Sequence, residues 1–576
     1  MTMMSNMRTR AVLASAGLGL LAMTAAGAAS AQEAAGTSSA MTNPATPANP
    51  AASNGAVAGC AAGSDKLSLS DRFVSSYKDA LGWNGDPAGD PSWRQGYQPP
   101  QQSTPPMPFT GWPIGGTEII GYDNSYSGAL MDAIYCGPNG QAWKDSRVTI
   151  YGWINPGMNL SSSHTRYNTK NGTGGNFPAA YNYAPNTAQM DQVALYAERT
   201  PDVVQKDHFD WGFRLAGVWG TDAKYTISRG LFSNRLSNGN GDVVKNSYDI
   251  PMAYLEGYFP NVADGMNVRV GRYISVPDIE AQLAPNNYTY SHSLLYTYDP
   301  FTHEGVVATV KLNKNWTVQG ELHLGNDVAA WYSDKVPATF VNAAGNTVAN
   351  PNAGQKLGAQ ITPGVCVQWL SDSGDDALYP CINGIGIGNK NNFGWNNMQQ
   401  DVLTWYHKFN DKWHMSTEAW YMSQKNTPNM SNTDGPALWN SMFGTTNSVG
   451  GPFGATGGRG CGPNDGITCT SKEWAVVNYI IYQPGPRDFF ALRTDILNDI
   501  NGQRTGFATK YTEMTLSWNH WLGKAITLRP EIRYEHAGVA AYNNPCPAAG
   551  TAGCGATVTA GARHQTTFAM DAIVHF

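Results

Sequence analysis

The last ten residues, Thr567-Phe568-Ala569-Met570-Asp571-Ala572-Ile573-Val574-His575-Phe576, alternate between two kinds of side chain. Phe568, Met570, Ala572, Val574 and Phe576 form an apolar set, while Thr567, Ala569, Asp571 and His575 oppose them. Successive side chains of an extended strand leave opposite faces, so a period of two places each set on one side of a sheet. The same pattern recurs upstream. Trp211, Phe213, Leu215, Gly217 and Trp219 oppose Asp210 and Arg214. Trp316, Val318, Gly320, Leu322 and Leu324 oppose Thr317, Gln319, Glu321 and His323. Met514, Leu516 and Trp518 oppose Glu513, Thr515, Ser517 and Asn519. Ile526, Leu528, Ile532 and Tyr534 oppose Thr527, Arg529, Glu531, Arg533 and Glu535.

Which face is wet decides the class. A soluble sandwich needs strands of only about 5–6 residues around a shared core. These segments run about 9–12 residues, the length of a tilted strand crossing a bilayer. Their polar faces carry several charges each, as a water-filled lumen requires. Aromatics near the segment ends (Trp153, Trp219, Tyr258, Phe259, Trp413, Tyr482, Trp521) suit interfacial girdles. The expected fold is an all-β, transmembrane, antiparallel up-and-down barrel over 147–576. Its strands are read at 147–160, 188–200, 209–220, 250–260, 266–274, 304–312, 314–325, 399–409, 412–423, 473–484, 487–497, 509–521, 524–536 and 563–576. That makes about fourteen, with 12–16 possible; 117–130 or 223–232 would supply extra strands. Tight connections (261–265, 313, 410–411, 485–486, 522–523) are read as periplasmic turns. The stretches 326–398, 424–472 and 537–562 are read as external loops.

The N-terminus reads as an export signal spanning 1–31. Arg8 and Arg10 form a basic start, Ala11 to Ala28 is apolar, and Ala29-Ser30-Ala31 is a cleavage site that would leave Gln32 first. Residues 32–64 read as a flexible, low-complexity leader, and 65–146 as an irregular segment with one short helix, periplasmic or lumenal. Removing Arg8 and Arg10 takes 37 basic residues to 35 against 43 acidic ones, a net charge of −8. That balance gives no reason to expect nucleic acid. Beyond the signal no apolar run is long enough for a transmembrane helix, and a mean hydropathy of −0.36 fits either an exported soluble protein or a barrel, whose alternation hides its lipid-facing surface.

Eight cysteines in an exported chain point to disulfides. Cys366 and Cys381, Cys461 and Cys469, and Cys546 and Cys554 are close in sequence and read as staples of long outer loops. Cys60 and Cys136 remain as the long-range pair. Their spacing matches no metal motif, and neither a metal nor a cofactor is expected.

Several strings resemble one family, the OmpL-like β-barrel porins. Ser146–Asn159 (SRVTIYGWINPGMN) resembles its opening strand, and Asp210–Tyr225 (DWGFR…GTDAKY) a following one. Asn287–Gly305 looks like its long mid-barrel connection; Gly502–Gly506 (GQRTG) and Arg529–Glu535 (RPEIRYE) complete the pattern. The resemblance covers about 110–576 and implies outer-membrane location and pore formation.

No nucleophile elbow, zinc-protease or phosphate-loop signature occurs, and Ser75-x-x-Lys78 lies in the predicted leader helix. The informative set is the wet face: Arg214, Arg269, Glu321, His323, Glu418, Arg493, Asp495, Glu513, Arg529, Glu531, Arg533, Glu535 and Asp571. Such residues line a pore and orient polar solutes. Their bland alternative is cross-strand ion pairing that stiffens the wall. Ser275–Glu304 is a long connection carrying Asp278, Glu280, Tyr288, Tyr290, His292, Asp299 and His303. Folded inward it would form a constriction; otherwise it is an external loop. Asp372, Asp375 and Asp376 could hold Ca²⁺ outside, although a solvated loop suffices. The expected function is passive diffusion of small hydrophilic solutes across a Gram-negative outer membrane, without catalysis. The expected partners are lipid, the solutes, and a barrel-assembly machinery reading the strand that ends at Phe576. Two other classes fit less directly: a surface hydrolase using His292, His303, His407, His414 or His520, and a non-conducting scaffold or adhesin.

Overall fold

The computed structural model describes residues 60–61, 63–83, 128–163, 175–176, 178–179, 181–182, 184–203, 205–233, 245–384, 398–410, 412–443, 461–462, 465–485, 487–543 and 561–576. The predicted signal, most of the predicted leader, the Cys546–Cys554 pair and 117–127 lie outside them.

The strands are β1 (Val148–Ser161), β2 (Thr187–Arg199), β3 (Asp210–Gly220), β4 (Ser247–Phe259), β5 (Met266–Ile274), β6 (Thr302–Lys311), β7 (Trp316–Asn326), β8 (Thr339–Val341), β9 (Thr347–Ala349), β10 (Thr362–Leu370), β11 (Asp376–Asn383), β12 (Met398–Asn410), β13 (Trp413–Pro428), β14 (Thr468–Gly485), β15 (Asp488–Asp499), β16 (Thr509–Leu522), β17 (Ile526–Ala537) and β18 (His564–His575). β8 and β9 form a separate hairpin, and the other sixteen close into one barrel. Every barrel pairing is antiparallel, and β1 closes on β18 with Trp153 opposite His575. At that seam Gly152 and Phe576 exchange both backbone hydrogen bonds, at 3.1 and 2.9 Å. Closure leaves no unpaired strand edge in hydrocarbon.

All fourteen predicted segments are strands, but the count is sixteen. The additional pair is not at 223–232, and of 117–130 only 128–130 are described. Residues 128–130 enter a helix, and Asp222–Tyr225 is a buried 3₁₀ turn. The missing strands are β10 and β11, inside a stretch read as an external loop. They follow the barrel's alternation: Thr362, Gly364, Cys366 and Gln368 face in, while Leu378, Pro380 and Ile382 face out. Cys366 lies directly opposite Cys381, so this disulfide spans two wall strands rather than stapling a loop. Asp372, Asp375 and Asp376 fall at the tight β10–β11 turn, on the same end as the other short turns. There Asp372 pairs with Lys314 at 2.6 Å, and Asp376 lies 2.7 Å from His407.

The described residues before the barrel sit at the tight-turn end. Helix α1 (Leu69–Ala80) is capped by Ser68, whose hydroxyl accepts from the Asp71 amide at 3.1 Å. The Cys60–Cys136 disulfide ties the chain ahead of α1 to the end of α2 (Ala129–Tyr135), and α3 (Gly140–Ser146) leads into β1. Arg72 Nε donates to the Ala133 carbonyl at 2.7 Å, and Lys524 N to that of Ala80 at 2.6 Å. Gly523 stands at φ +57° against the Ala80 carbonyl, where a Cβ would collide with it.

The two faces separate as the sequence predicts. Along β16, Met514, Leu516 and Trp518 are exposed, whereas Glu513, Thr515, Ser517 and Asn519 are buried. The aromatic belt is composed differently from expectation. Trp219 and Trp413 do face out, but Trp153, Tyr258 and Trp521 are buried inside. At the tight-turn end Trp413 stacks on Tyr482 (centroids 4.5 Å apart) and Phe490 on Trp518 (6.1 Å).

Candidate functional site: the inner wall and the segment across it

The connection between β5 and β6 does not stay outside. Its base is closed by the Ser275 amide donating to the Phe301 carbonyl at 3.0 Å. The twenty-seven residues between strands, 275–301, are buried throughout except for half-buried Tyr288. Local polar bonds give the segment its shape. Asn287 accepts from the Ala281 amide and donates to the carbonyls of Ala281 and Leu283. Ser293 caps the single turn α4 (Leu294–Thr297). The predicted connection ran to 304; the structure ends it at 301, so His303 is a wall residue of β6 rather than part of the segment.

Many of the segment's partners lie on β13, β14, β15 and β17, across the barrel from β5 and β6 in the strand order. It therefore crosses the lumen. Arg493 Nη1 donates to the Ser291 carbonyl at 2.5 Å, and Nη2 to the Ser291 hydroxyl at 2.8 Å. Arg529 Nη1 reaches the carbonyls of Ala284, Asn287 and Thr289 at 2.7, 3.0 and 3.0 Å. Arg533 Nη1 donates to the His292 carbonyl at 2.6 Å. Acids of the wall take the segment's amides: Glu418 that of Ile279 (2.9 Å), Glu531 that of Ser291 (3.1 Å) and Asp495 that of Leu294 (2.7 Å). Within the segment, Glu280 accepts from the Tyr479 hydroxyl at 2.8 Å. Charge-assisted bonds of this kind are about twice as strong as neutral ones, and burial strengthens them further.

All thirteen predicted pore-lining residues are buried on the inner face. The alternative reading of their role holds alongside, because most arginines are also paired across strands. Arg214 meets Glu198 at 2.6 Å, Arg269 meets Glu256 at 3.0 Å and Arg493 meets Glu513 at 3.0 Å. Arg529 pairs with Asp571. Arg533 and Glu535, two apart on β17, lie 2.8 Å from one another. Glu321 is 3.2 Å from His303, whose ring stacks on His323 at 3.7 Å. Each guanidinium thus neutralises a wall carboxylate with one edge, and three of them hold the crossing segment with the other.

The constriction candidates other than His303 all lie on the crossing segment, and His303 stands on the wall within electrostatic reach of Asp278. Tyr290 is buried against Gly157, where a Cβ would overlap the Tyr290 hydroxyl and the Asp191 carboxylate. His292 stacks on Tyr181 at 3.8 Å. Tyr288 lies 3.1 Å from His414 and borders a small cavity of about 10 Å³, room for about one water, with Tyr406, Ser416 and Tyr479. Sequence reading missed Glu198 and Glu256, the acids that pair with Arg214 and Arg269. Both belong to strands whose alternation would have exposed them, had β2 and β4 been read as closely as β16. It also missed Arg504, which pairs with Glu473 at 3.2 Å in the buried loop after β15.

The histidines named for a surface hydrolase are dispersed. His407 and His520 sit at the tight-turn end, near Asp376 (2.7 Å) and Asp488 (2.8 Å). Each carboxylate also accepts from an indole N–H, Trp405 at 3.3 Å and Trp518 at 2.8 Å. These are two copies of one interfacial arrangement, Trp-x-His on one strand and Asp on the next.

A closed barrel with an apolar outer face, a charged inner face and a segment across its lumen is the architecture of an outer-membrane porin. The family model described as "Putative beta-barrel porin-2, OmpL-like" matches residues 147–576, and the chain belongs to that family. The match begins beside the start of β1 and ends on Phe576. Among solved structures the chain is similar to an anion-selective porin from Comamonas acidovorans, at 11% identity. That alignment covers 74% of this chain and 99% of that one, with a TM-score of 0.39. It is similar also to the outer-membrane channel DcaP of Acinetobacter baumannii, at 11% identity over 74% and 97% of the chains, TM-score 0.39. No curated protein sequence matches.

Proposed function

We propose that the barrel passes small hydrophilic solutes by passive diffusion, and that residues 275–301 are its constriction. The observation supporting this is the attachment of that segment to Arg493, Arg529 and Arg533, which fixes a polar, aromatic-rich partition across the lumen. Solutes would pass between this partition and the wall, so hydrogen-bonding capacity and size would set the rate. The acids and arginines of the wall are largely paired, so ion selectivity would be weak. No covalent step is involved in this reading, and the histidine–aspartate pairs serve the membrane interface. Export through a cleaved N-terminal signal, and recognition of the strand ending at Phe576 by an assembly machinery, belong to the same proposal. The tight-turn end would then be periplasmic.

Liposome swelling tests the reading. Vesicles carrying the purified chain should swell in small sugars at rates that fall steeply with solute size. Equal rates with protein-free vesicles for every sugar would leave the scaffold reading in its place.

A further inference from the structure

Three carboxylates from three separate parts of the chain meet under the crossing segment. Asp278 and Asp299 come from its two ends, and Glu418 from β13 on the wall; all three are buried. One oxygen from each lies within 4.8 Å of the other two. Each of the three also accepts hydrogen bonds from its surroundings. Asp278 Oδ2 accepts from the Ser275 hydroxyl at 2.9 Å, and Asp299 Oδ1 from the Gln400 amide. Glu418 Oε2 accepts from the Ile279 amide at 2.9 Å and from the Thr404 hydroxyl at 3.4 Å. Asp278 and Asp299 share a side-chain hydrogen bond, and Glu418 Oε1 has no hydrogen-bond partner among the described residues. The inward arginines are committed elsewhere, Arg493 to Glu513, Arg529 to Asp571 and Arg533 to Glu535.

Three buried carboxylates this close repel strongly unless protons or a cation lie among them, and a cation can take the place of the protons. An all-oxygen, carboxylate-rich set suits a hard divalent cation rather than zinc or copper. Two oxygens bound to one Ca²⁺ at about 2.4 Å are at most about 4.8 Å apart, so the observed separation is within reach of a shared ion. We propose that Asp278, Asp299 and Glu418 form a Ca²⁺ site that ties both ends of the crossing segment to the barrel wall. Because Asp278 and Asp299 flank the segment, one ion would fix its whole course. The site differs from the exposed Asp372, Asp375 and Asp376 turn. Sequence spacing does not reveal it, since the ligands are 21 and 119 residues apart along the chain.

The test is calorimetric titration of CaCl₂ into the full-length chain, folded in detergent and stripped with a chelator. One Ca²⁺ per chain is expected, with Mg²⁺ binding at least tenfold more weakly. Glu418→Gln and the Asp278→Asn/Asp299→Asn pair should each weaken binding 100-fold or more, while Asp372→Asn leaves it unchanged. No binding to the native chain, or equal binding by the variants, would overturn the site. So would a result in which the carboxyls simply hold protons and Ca²⁺ has no effect. Should the variants fail to fold, thermal unfolding of the native chain decides. Millimolar Ca²⁺ should raise its midpoint relative to excess chelator, and an unchanged midpoint would overturn the proposal. This readout is independent of conductance, so it can fail while the porin reading stands, and the reverse.

Discussion

Arg493 holds Ser291 twice, by the carbonyl oxygen at 2.5 Å and by the hydroxyl at 2.8 Å, while its Nε binds Glu513 at 3.0 Å. One buried guanidinium therefore joins the wall to the segment that crosses it. Arg529 repeats the arrangement with Asp571 and three carbonyls of the segment. A fork of five fixed donors can serve two such partners at once, which a lysine ammonium cannot do with the same geometry.

Arg493→Met should accordingly destabilise the barrel by about 3–5 kcal/mol, because the buried Glu513 loses the guanidinium bonded to it and Ser291 loses both of its contacts. Adding Glu513→Gln should recover part of that loss. Urea unfolding followed by tryptophan fluorescence, arranged as a double-mutant cycle, measures it. Additive effects would mean the two side chains do not act as a pair.

The outer face should respond to charge by depth. Leu516 is 53% exposed in the middle of β16, whereas its neighbour Thr515 is fully buried inside. Leu516→Arg places a cation in hydrocarbon and should cost about 2–4 kcal/mol in a lipid-refolding assay. The same residue at Thr512, exposed on the same face nearer the start of β16, should cost about 1 kcal/mol or less. Equal costs at both depths would contradict the membrane placement of this face.

The Cys60–Cys136 disulfide ties the chain ahead of α1 to the end of α2, outside the wall. Replacing both cysteines by serine should open α1 to limited proteolysis and leave the barrel resistant. Loss of the barrel band in the same digest would show that this disulfide supports the wall itself.

Most of the barrel was legible because a two-sided strand in lipid must alternate, and fourteen strands do so cleanly. β10 and β11 were not, although they alternate too. Pro363, Gly364 and Pro380 read as turn residues, and Cys366 and Cys381 as a loop staple. In the fold Pro380 is an outward-facing wall position. The inner wall was equally legible, since every predicted lining residue faces in. The crossing of 275–301 was not, because a polar loop carries no periodicity to say which way it folds. Its direction is set by Arg493, Arg529 and Arg533 on strands more than 190 residues further along the chain. The aromatic belt misled for a related reason. Trp153 and Trp521 have the composition of girdle residues but sit on the inward phase of their strands.

Single-channel recording in a planar bilayer tests the central claim most directly, by comparing the native chain with one lacking 276–300. Ile274 and Thr302 are paired neighbours, so a short Asn-Gly-type turn can replace the segment without disturbing β5 or β6. The native chain should show small, steady openings, and the deletion should raise the unit conductance several-fold. An absence of openings in both would contradict the account, and unchanged conductance on deletion would refute the segment as its constriction.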